Sequence, residues 1–351
     1  MLESMILKEN EPLAPLTTLG VGGPARWLAE AANEAEIAEA AAWAGRRAVL
    51  LFVLGGGSNL LISDAGFDGL VLHVRMRGIA VEDAESDRVY RVAAGEDWDA
   101  FVTRAISENS AGVECLAGIP GTVGGTPVQN VGAYGQEVAS VIERVRAFDL
   151  ESHEFVEFTA RECGFSYRRS KFNSEVRGRF VVTRVDYRLR RGGPPTIAYP
   201  DLNRALSERR RAADDPTLAE VANAVRRIRQ SKGMLLVEGD PDCRSAGSFF
   251  KNPVITADRF REIAARGAMP PSFPARPGTV KLPAAWLVEQ AGFAKGYNLG
   301  RAGISTRHTL ALVNHGCATA AEILALARLI SARVEERFGI RLEIEPVLIG
   351  F

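Results

Sequence analysis

Two stretches govern how this chain is read. They are Leu54-Gly55-Gly56-Gly57-Ser58-Asn59-Leu60-Leu61-Ile62 and the longer Leu116-Ala117-Gly118-Ile119-Pro120-Gly121-Thr122-Val123-Gly124-Gly125-Thr126-Pro127-Val128-Gln129-Asn130-Val131-Gly132-Ala133-Tyr134-Gly135-Gln136. The first ends the apolar run Ala48 to Leu54, which reads as a buried strand stopped by a glycine loop. The second contains no charged residue. Glycine admits positive φ and lets backbone N–H groups approach a ligand closely, the usual way to make a concave nest for diphosphate oxygens. Neither stretch is a Rossmann fingerprint, because Leu60 stands where a third glycine is required and no helical pattern follows the strand. Neither ends in the Gly-Lys-Ser/Thr of a P-loop. Such loops suit a large, flat, diphosphate-bearing cofactor held by backbone contacts. Tight turns with no ligand are the other reading.

Around these loops the first half is rich in strands. Helical spacing runs from Ala31 to Arg46, and β patterns occupy Val89 to Ala93, Val141 to Leu150, Phe155 to Thr159 and Phe180 to Leu189. One helix, about Asp97 to Glu108, turns Trp98, Phe101, Val102, Ala105 and Ile106 to one side. Gly192-Gly193-Pro194-Pro195 marks a boundary. Beyond it come a polar helix from Leu218 to Gln230, a strand at Leu310 to Asn314, and a long helix from Ala320 to Phe338 with a Thr319/Glu322 capping box. A final β pattern covers Arg341 to Ile349.

Composition narrows the function. With 43 basic and 43 acidic residues in 351, the chain lacks the cationic excess that nucleic-acid binding draws on. No apolar run approaches the roughly 20 residues of a membrane span and no signal peptide is evident, so a soluble cytoplasmic protein without membrane insertion is expected. Cys115, Cys163, Cys243 and Cys317 are too scattered for a zinc site and read as free thiols. No metal site is expected. His73, His153, His308 and His315 lack ligand spacing and receive no role. Arg209-Arg210-Arg211 and Arg226-Arg227 read as solvated faces, Trp27, Trp43, Trp98 and Trp286 as core, and Asp99 and Glu137 as scattered carboxylates with no paired arrangement.

Taken together, Leu54 to Leu61, Gly118-Ile-Pro-Gly-Thr-Val-Gly-Gly125 and Gln129-Asn-Val-Gly-Ala-Tyr-Gly135 resemble the UDP-N-acetylenolpyruvoylglucosamine reductase family. The resemblance continues from Thr17-Thr-Leu-Gly-Val-Gly-Gly23 through Ala94-Gly-Glu-Asp-Trp98, Tyr167-Arg-Arg-Ser170 and Ala246-Gly-Ser-Phe-Phe-Lys-Asn-Pro253 to Leu342-Glu-Ile-Glu345. It implies an α+β chain with a two-subdomain FAD-binding module of the vanillyl-alcohol oxidase type and a C-terminal α/β substrate domain. The expected division is 1–75 and 76–191 for the two flavin subdomains, 192–235 for a connecting region with substrate contacts, and 236–351 for the substrate domain. The implied activity is NADPH-dependent, FAD-mediated reduction of the enolpyruvyl ether of UDP-N-acetylglucosamine in peptidoglycan precursor synthesis.

The resemblance also assigns residues. Gly55, Gly56, Gly57, Ser58 and Asn59 with Pro120, Gly121, Gly124, Gly125 and Thr126 surround the FAD diphosphate, and Gln129, Asn130, Gly132 and Ala133 lie toward the flavin. Neither loop holds a histidine, so the FAD is expected to be non-covalent. Arg168, immediately after Tyr167, takes the substrate carboxylate, and Arg169 is the decoy. Ser248 is the proton donor, and Glu345 helps stabilise the enolate, with Glu343 as the minor alternative because Pro346 departs from the family pattern. Tyr199, Lys232 and Asn252 match diphosphate contacts, and Gln290 matches a position near the enolpyruvyl group. The spacer between Lys232 and Ser248 is longer than the pattern. The insertion around residues 270 to 280 places this chain with the family's longer form, and Phe273 replaces that form's tyrosine, which removes one hydroxyl contact. A flavin oxidase of the same fold and a non-catalytic nucleotide-binding module are the rival readings. Arg168, Ser248 and Glu345 argue against both, because neither rival needs all three polar groups.

Overall fold

The computed structural model describes residues 5–207, 215–265 and 269–351. The Arg209 to Arg211 triplet lies outside the described residues. The chain groups into two units, one built from Met1–Glu11, Ala25–Gly57 and Phe67–Gln230, the other from Pro12–Pro24, Ser58–Gly66 and Ser231–Phe351.

In the first unit, Asn33 starts the helix Glu34–Arg46 by accepting the Glu36 N–H at 3.0 Å, a cap that contributes about 1 kcal/mol. Its apolar face, Ile37, Ala40, Ala41, Trp43 and Ala44, is buried with the strand residues Ala29, Ala31, Leu70, Leu72 and Val74. The strands Pro24–Ala31, Phe67–Val74 and Leu51–Leu54 pair in parallel, with Leu54 opposite His73. The strand before the glycine loop begins at Leu51, not Ala48. Arg47, Ala48 and Val49 turn their N–H groups back to the Ala44 and Gly45 carbonyls, and Ala48 has a left-handed φ of 51°.

A second, antiparallel sheet runs in the order Phe155–Thr159, Ile142–Asp149, Phe180–Arg191, Asp87–Ala93 and Ile79–Ala84. The alternating patterns set its register, Val145 opposite Val185 and Tyr187 opposite Tyr90. The helix Trp98–Ser107, capped by Asp97, brings Trp98 and Phe101 against Tyr187 with ring centroids 5.0 to 5.8 Å apart. Trp43 and Trp98 are core residues as expected, whereas Trp27 and Trp286 are half-buried and lean on Trp43 and Phe338 respectively.

The second unit has a sheet ordered Ser245–Ser248, Ala311–Asn314, Ala302–Ile304 and Asn298–Leu299. The helix Ala320–Phe338 carries the expected Thr319/Glu322 capping box. Asp64 adds to that start, its carboxylate accepting the Ala320 and Ala321 N–H groups at 2.7 and 2.9 Å, where the helix dipole also favours an anion. The C-terminal β pattern is much shorter than its sequence suggests. Only Val347–Ile349 is strand, paired in parallel with Leu60–Ile62, and before it Ile344 makes an isolated bridge to Phe250. Pro346 breaks the run because it has no N–H to give a ladder.

All four cysteines are free. Cys115, Cys163 and Cys243 are buried, and burial pushes the Cys115 and Cys163 thiols up to about 12, while Cys317 is exposed. An aromatic disulfide reagent at neutral pH should therefore titrate one thiol in the native protein and all four after denaturation. Fast reaction of a second native thiol would contradict this burial. Among the described residues no helix is long and apolar enough to cross a membrane, and no cluster of three or more metal-ligating side chains occurs.

Candidate active site

Within the first unit, Gly55 to Gly57 meet the second glycine stretch. A Cβ built on Gly56 would lie 2.6 Å from the Gly121 Cα and 2.8 Å from its carbonyl carbon, so only glycine permits this approach. Gly57 completes the turn in the left-handed region, at φ 62°. The second loop is fixed from below, Trp98 donating its N–H to the Gly121 carbonyl (3.1 Å) and Gly124 to that of Ala94 (2.8 Å). The N–H groups of Gly56, Gly57, Gly121 and Thr122, all in the first unit, donate to nothing among the described residues. Unpaired main-chain donors and close glycine backbones are what a diphosphate requires, so these loops fit the group that the sequence assigns to them.

Further along, side chains are occupied within the fold. The Thr126 hydroxyl is buried, 2.8 Å from the Val123 carbonyl and 2.6 Å from the Tyr187 hydroxyl. Asn130 is fully buried in a left-handed conformation. Its amide donates to Glu137 and to the Ser166 carbonyl, both at 2.9 Å, and its oxygen accepts the Ala139 N–H. Gln129 and Ala133 are half-buried. Gly132 is held against Glu137, where a Cβ would come within 2.7 Å of its Cγ.

Arg168 and Arg169, adjacent in sequence, are separated by a turn. Ser166 and Arg169 exchange backbone hydrogen bonds at 2.9 and 3.0 Å, which leaves Tyr167-Arg168 as a two-residue corner with Arg168 at φ 55°. A side chain in that region costs about 1–2 kcal/mol. Asn173 steadies the corner by donating to the Arg168 carbonyl at 3.1 Å. The half-buried Arg168 guanidinium donates to the Gly132 carbonyl at 2.8 Å, while Arg169 is exposed and faces Glu175 at 3.8 Å. The geometry separates the candidate from its decoy.

In the second unit the segment around Ser248 runs beside the segment around Glu345. Glu345 donates its N–H to the Phe249 carbonyl at 2.9 Å, and Lys251 donates its own to the Glu343 carbonyl at 2.9 Å. Ser248 and Glu345 are both half-buried. Glu343 is exposed and ion-paired with Lys251, which occupies the alternative carboxylate. Ser58 and Asn59 belong to this unit, with Asn59 beside the same segment.

The remaining assignments differ in what they have free. The Asn252 oxygen accepts the Ala284 N–H at 2.8 Å and so starts the helix Ala284–Gln290. Gln290 ends that helix half-buried, with Arg337 bonded to its carbonyl. Lys232 is half-buried just after the helix Leu218–Ser231. Tyr199 is partly exposed, edge-on to Tyr134 at 5.4 Å in the first unit. Phe273, at the tyrosine position of the longer form, is exposed.

Two supports of the second loop escape the sequence reading. Asp99 accepts the Gly118 N–H at 2.6 Å and Arg226 at 2.7 Å, and the buried Arg229 donates to the Gly118 carbonyl at 3.0 Å. Arg226 is therefore a structural partner rather than a solvated charge, and Asp99 is not a stray carboxylate. Glu114 is fully buried and accepts the N–H groups of Gly112 and Thr196 and the Gln136 amide at 2.7 to 2.8 Å. A lone acid in Val113-Glu114-Cys115-Leu116 was the available signal, since buried carboxylates must be hydrogen-bonded. His73 is buried with its Nδ1 unpartnered among the described residues, and desolvation pushes its pKa down.

Comparisons with known proteins meet this geometry. Residues 25–157 match the FAD binding domain family, and residues 240–349 match the UDP-N-acetylenolpyruvoylglucosamine reductase C-terminal domain. The chain is thus an FAD-dependent oxidoreductase with an α+β fold. The reductase of that name from Streptomyces coelicolor is 46% identical, across 99% of this chain and 92% of the relative. That from Thermobifida fusca is also 46% identical, across 97% of each. The crystal structure of UDP-N-acetylenolpyruvylglucosamine reductase from Thermus caldophilus aligns with a TM-score of 0.66 at 28% identity, covering 98% of this chain and 99% of that one. The chain belongs to the UDP-N-acetylenolpyruvoylglucosamine reductase family.

Proposed function

We infer that the protein reduces the enolpyruvyl ether of UDP-N-acetylglucosamine to UDP-N-acetylmuramate, a step of peptidoglycan precursor synthesis, using non-covalent FAD and NADPH. The observation that carries this reading is the hydrogen-bonded register that keeps a serine and a half-buried glutamate on neighbouring segments, Ser248 beside Phe249 and Glu345 bonded to it. Reducing an alkene next to a carboxylate needs a hydride, a means of bearing the charge that develops, and a proton for the carbon that receives it.

FAD, when bound, supplies the hydride chemistry. The loops Gly55 to Asn59 and Pro120 to Thr126 would hold its diphosphate, chiefly through the unpaired N–H groups of Gly56, Gly57, Gly121 and Thr122, with Gln129 to Ala133 toward the ring. Arg168 would bind the substrate carboxylate through charge-assisted hydrogen bonds. Its strained corner fixes where the guanidinium starts, as backbone strain does at binding sites. Ser248 gives its hydroxyl proton to the carbon next to the carboxylate. A free hydroxyl is a weak acid, so a nearby positive charge must favour its ionised form. Glu345 would help stabilise the enolate. Asn252 retains its amide N–H groups for the diphosphate, alongside Tyr199 and Lys232, and Gln290 serves the enolpyruvyl end.

Anaerobic mixing tests the reading. NADPH should bleach the bound flavin, and the enolpyruvyl sugar nucleotide should then restore its colour with one equivalent of lactyl product. Reoxidation by oxygen alone would favour the oxidase reading, and absence of bleaching the non-catalytic one.

A further inference from the structure

We propose that Arg307 is a positioning residue for Lys232, its guanidinium gripping Asp240 and Asp242 while packed on Gly233, so that the backbone carrying Lys232 keeps a fixed place relative to Ser248. The proposal rests on the reductase reading above and adds to it a residue to which the family resemblance assigns nothing.

Lys232 and Ser248 are joined by a spacer longer than the family pattern, yet that spacer is not slack. Asp240 starts the short turn Pro241–Cys243 by accepting the Asp242 N–H at 3.0 Å, and the Cys243 thiol donates to the Leu235 carbonyl at 2.7 Å. Arg307 then takes both acids. Its Nε donates to Asp242 at 2.9 Å, and its Nη2 donates to the two Asp240 oxygens. Asp242 is buried and also accepts the Thr306 hydroxyl at 2.7 Å and the Thr306 N–H at 3.2 Å. A planar fork of N–H donors can hold two carboxylates in one geometry, where an ammonium offers a single point charge.

The same guanidinium lies against the residue that follows Lys232. Gly233 has a φ of 65°, and a Cβ there would meet the Asp242 Cβ at 3.0 Å and the Arg307 Nε and Nη2 at 3.2 and 3.3 Å. The chain leaving Lys232 is thus closed down on Arg307. Arg307 itself stands on a well-tied turn. The buried Ser305 hydroxyl oxygen accepts the N–H groups of Arg307 at 3.0 Å and His308 at 3.2 Å, and Ser305 donates its own N–H to the Ala311 carbonyl at 2.9 Å. Ala311 is the sheet partner of Ser248. Two routes therefore leave this one hairpin of the second unit, through Arg307 to Lys232 and through Ala311 to Ser248. Together they set the distance from the backbone that bears the diphosphate contact to the hydroxyl that delivers the proton.

Steady-state kinetics of the holoenzyme test the assignment. Arg307→Met keeps the length of the side chain and removes the fork. The KM for the enolpyruvyl nucleotide should rise by about 10–10²-fold, the worth of a hydrogen bond to a charged group, with most of the loss in KM rather than kcat. Arg307→Lys, which can meet one carboxylate at a time, should regain part of the loss. In a Lys232→Met background, adding Arg307→Met should raise KM by less than about threefold more, because the group it positions is gone. A purely structural role predicts a penalty that multiplies in full with Lys232→Met, and that result overturns the proposal, as does an unchanged KM in Arg307→Met. Should Arg307→Met not accumulate as folded protein, Asp240→Asn weakens the same grip from the other side and runs the same cycle with Lys232→Met, with the same two overturning results. If Lys232→Met alone leaves KM unchanged, the proposal falls while the reductase reading stands. If the wild-type flavin is reduced by NADPH but never reoxidised by the enolpyruvyl nucleotide, the reductase reading itself fails, and this proposal with it.

Discussion

The Ser248→Ala holoenzyme is expected to split the reaction into an intact half and a broken one. Reduction of the flavin by NADPH asks nothing of the Ser248 hydroxyl and should proceed at the wild-type rate with full FAD content. Turnover of the enolpyruvyl nucleotide should fall by about 10²–10⁴-fold, the usual contribution of a positioned general acid. The loss should appear in kcat and kcat/KM together, because the missing interaction is made in the transition state and not in substrate binding. Folding should be little changed. Ser248 is half-buried at the end of its strand, opposite Ala311, and a methyl group fits where the hydroxymethyl was. Ser248→Cys should regain part of the activity, since a thiol is the stronger acid. Substantial turnover by the alanine variant, or failure of its NADPH step, would show that the acid lies elsewhere.

Gly56→Ala should release the flavin and weaken the fold at once. The added Cβ would meet backbone atoms of Gly121, at 2.6 and 2.8 Å, and the Thr122 nitrogen at 3.0 Å, none of which can swing aside as a side-chain tip would. One loop has to retreat, which carries the unpaired N–H groups out of register with a diphosphate. The expected cost is about 1–3 kcal/mol of stability, the range for overpacking, together with purification of largely colourless protein. Gly45→Ala supplies the contrast, since nothing lies within 4 Å of a Cβ there and the residue is inside the helix Glu34–Arg46. That variant should keep its colour and gain up to about 1 kcal/mol from the better helix former. Thermal unfolding and flavin absorbance of the two variants side by side check both statements. A yellow, stable Gly56→Ala protein would mean that the loops do not need this approach.

Local signals in the chain were enough for much of the architecture. Asn33, Asp97 and Thr319 start their helices through hydrogen bonds that need only the residues immediately following, and alternation set the strands of the antiparallel sheet. The helix Ala320–Phe338 runs between the expected ends because its capping box and Gly339 are both local devices. Density of glycine without charge pointed to a diphosphate at both loops for the same reason: backbone freedom belongs to the residue itself.

What required the folded chain was every relation between distant segments. No periodicity could tell that Pro12–Pro24 and Ser58–Gly66 group with the C-terminal half, because that depends on partners such as Val347–Ile349 and Ala320, hundreds of residues away. The Arg341 to Pro346 stretch alternates like a strand, yet it has one isolated bridge, since a ladder needs donors in register and Pro346 offers none. Asp99 read as a scattered carboxylate, Arg226 as a solvated charge, and Glu114 was not singled out. Their role in holding the second glycine loop is decided by which groups the fold brings within 3 Å of them, the Gly118 N–H and Arg226 at Asp99 and the Gln136 amide at Glu114. Residue type can announce a backbone-lined cofactor loop or a helix cap, but a carboxylate becomes a clamp only through neighbours that tertiary packing supplies.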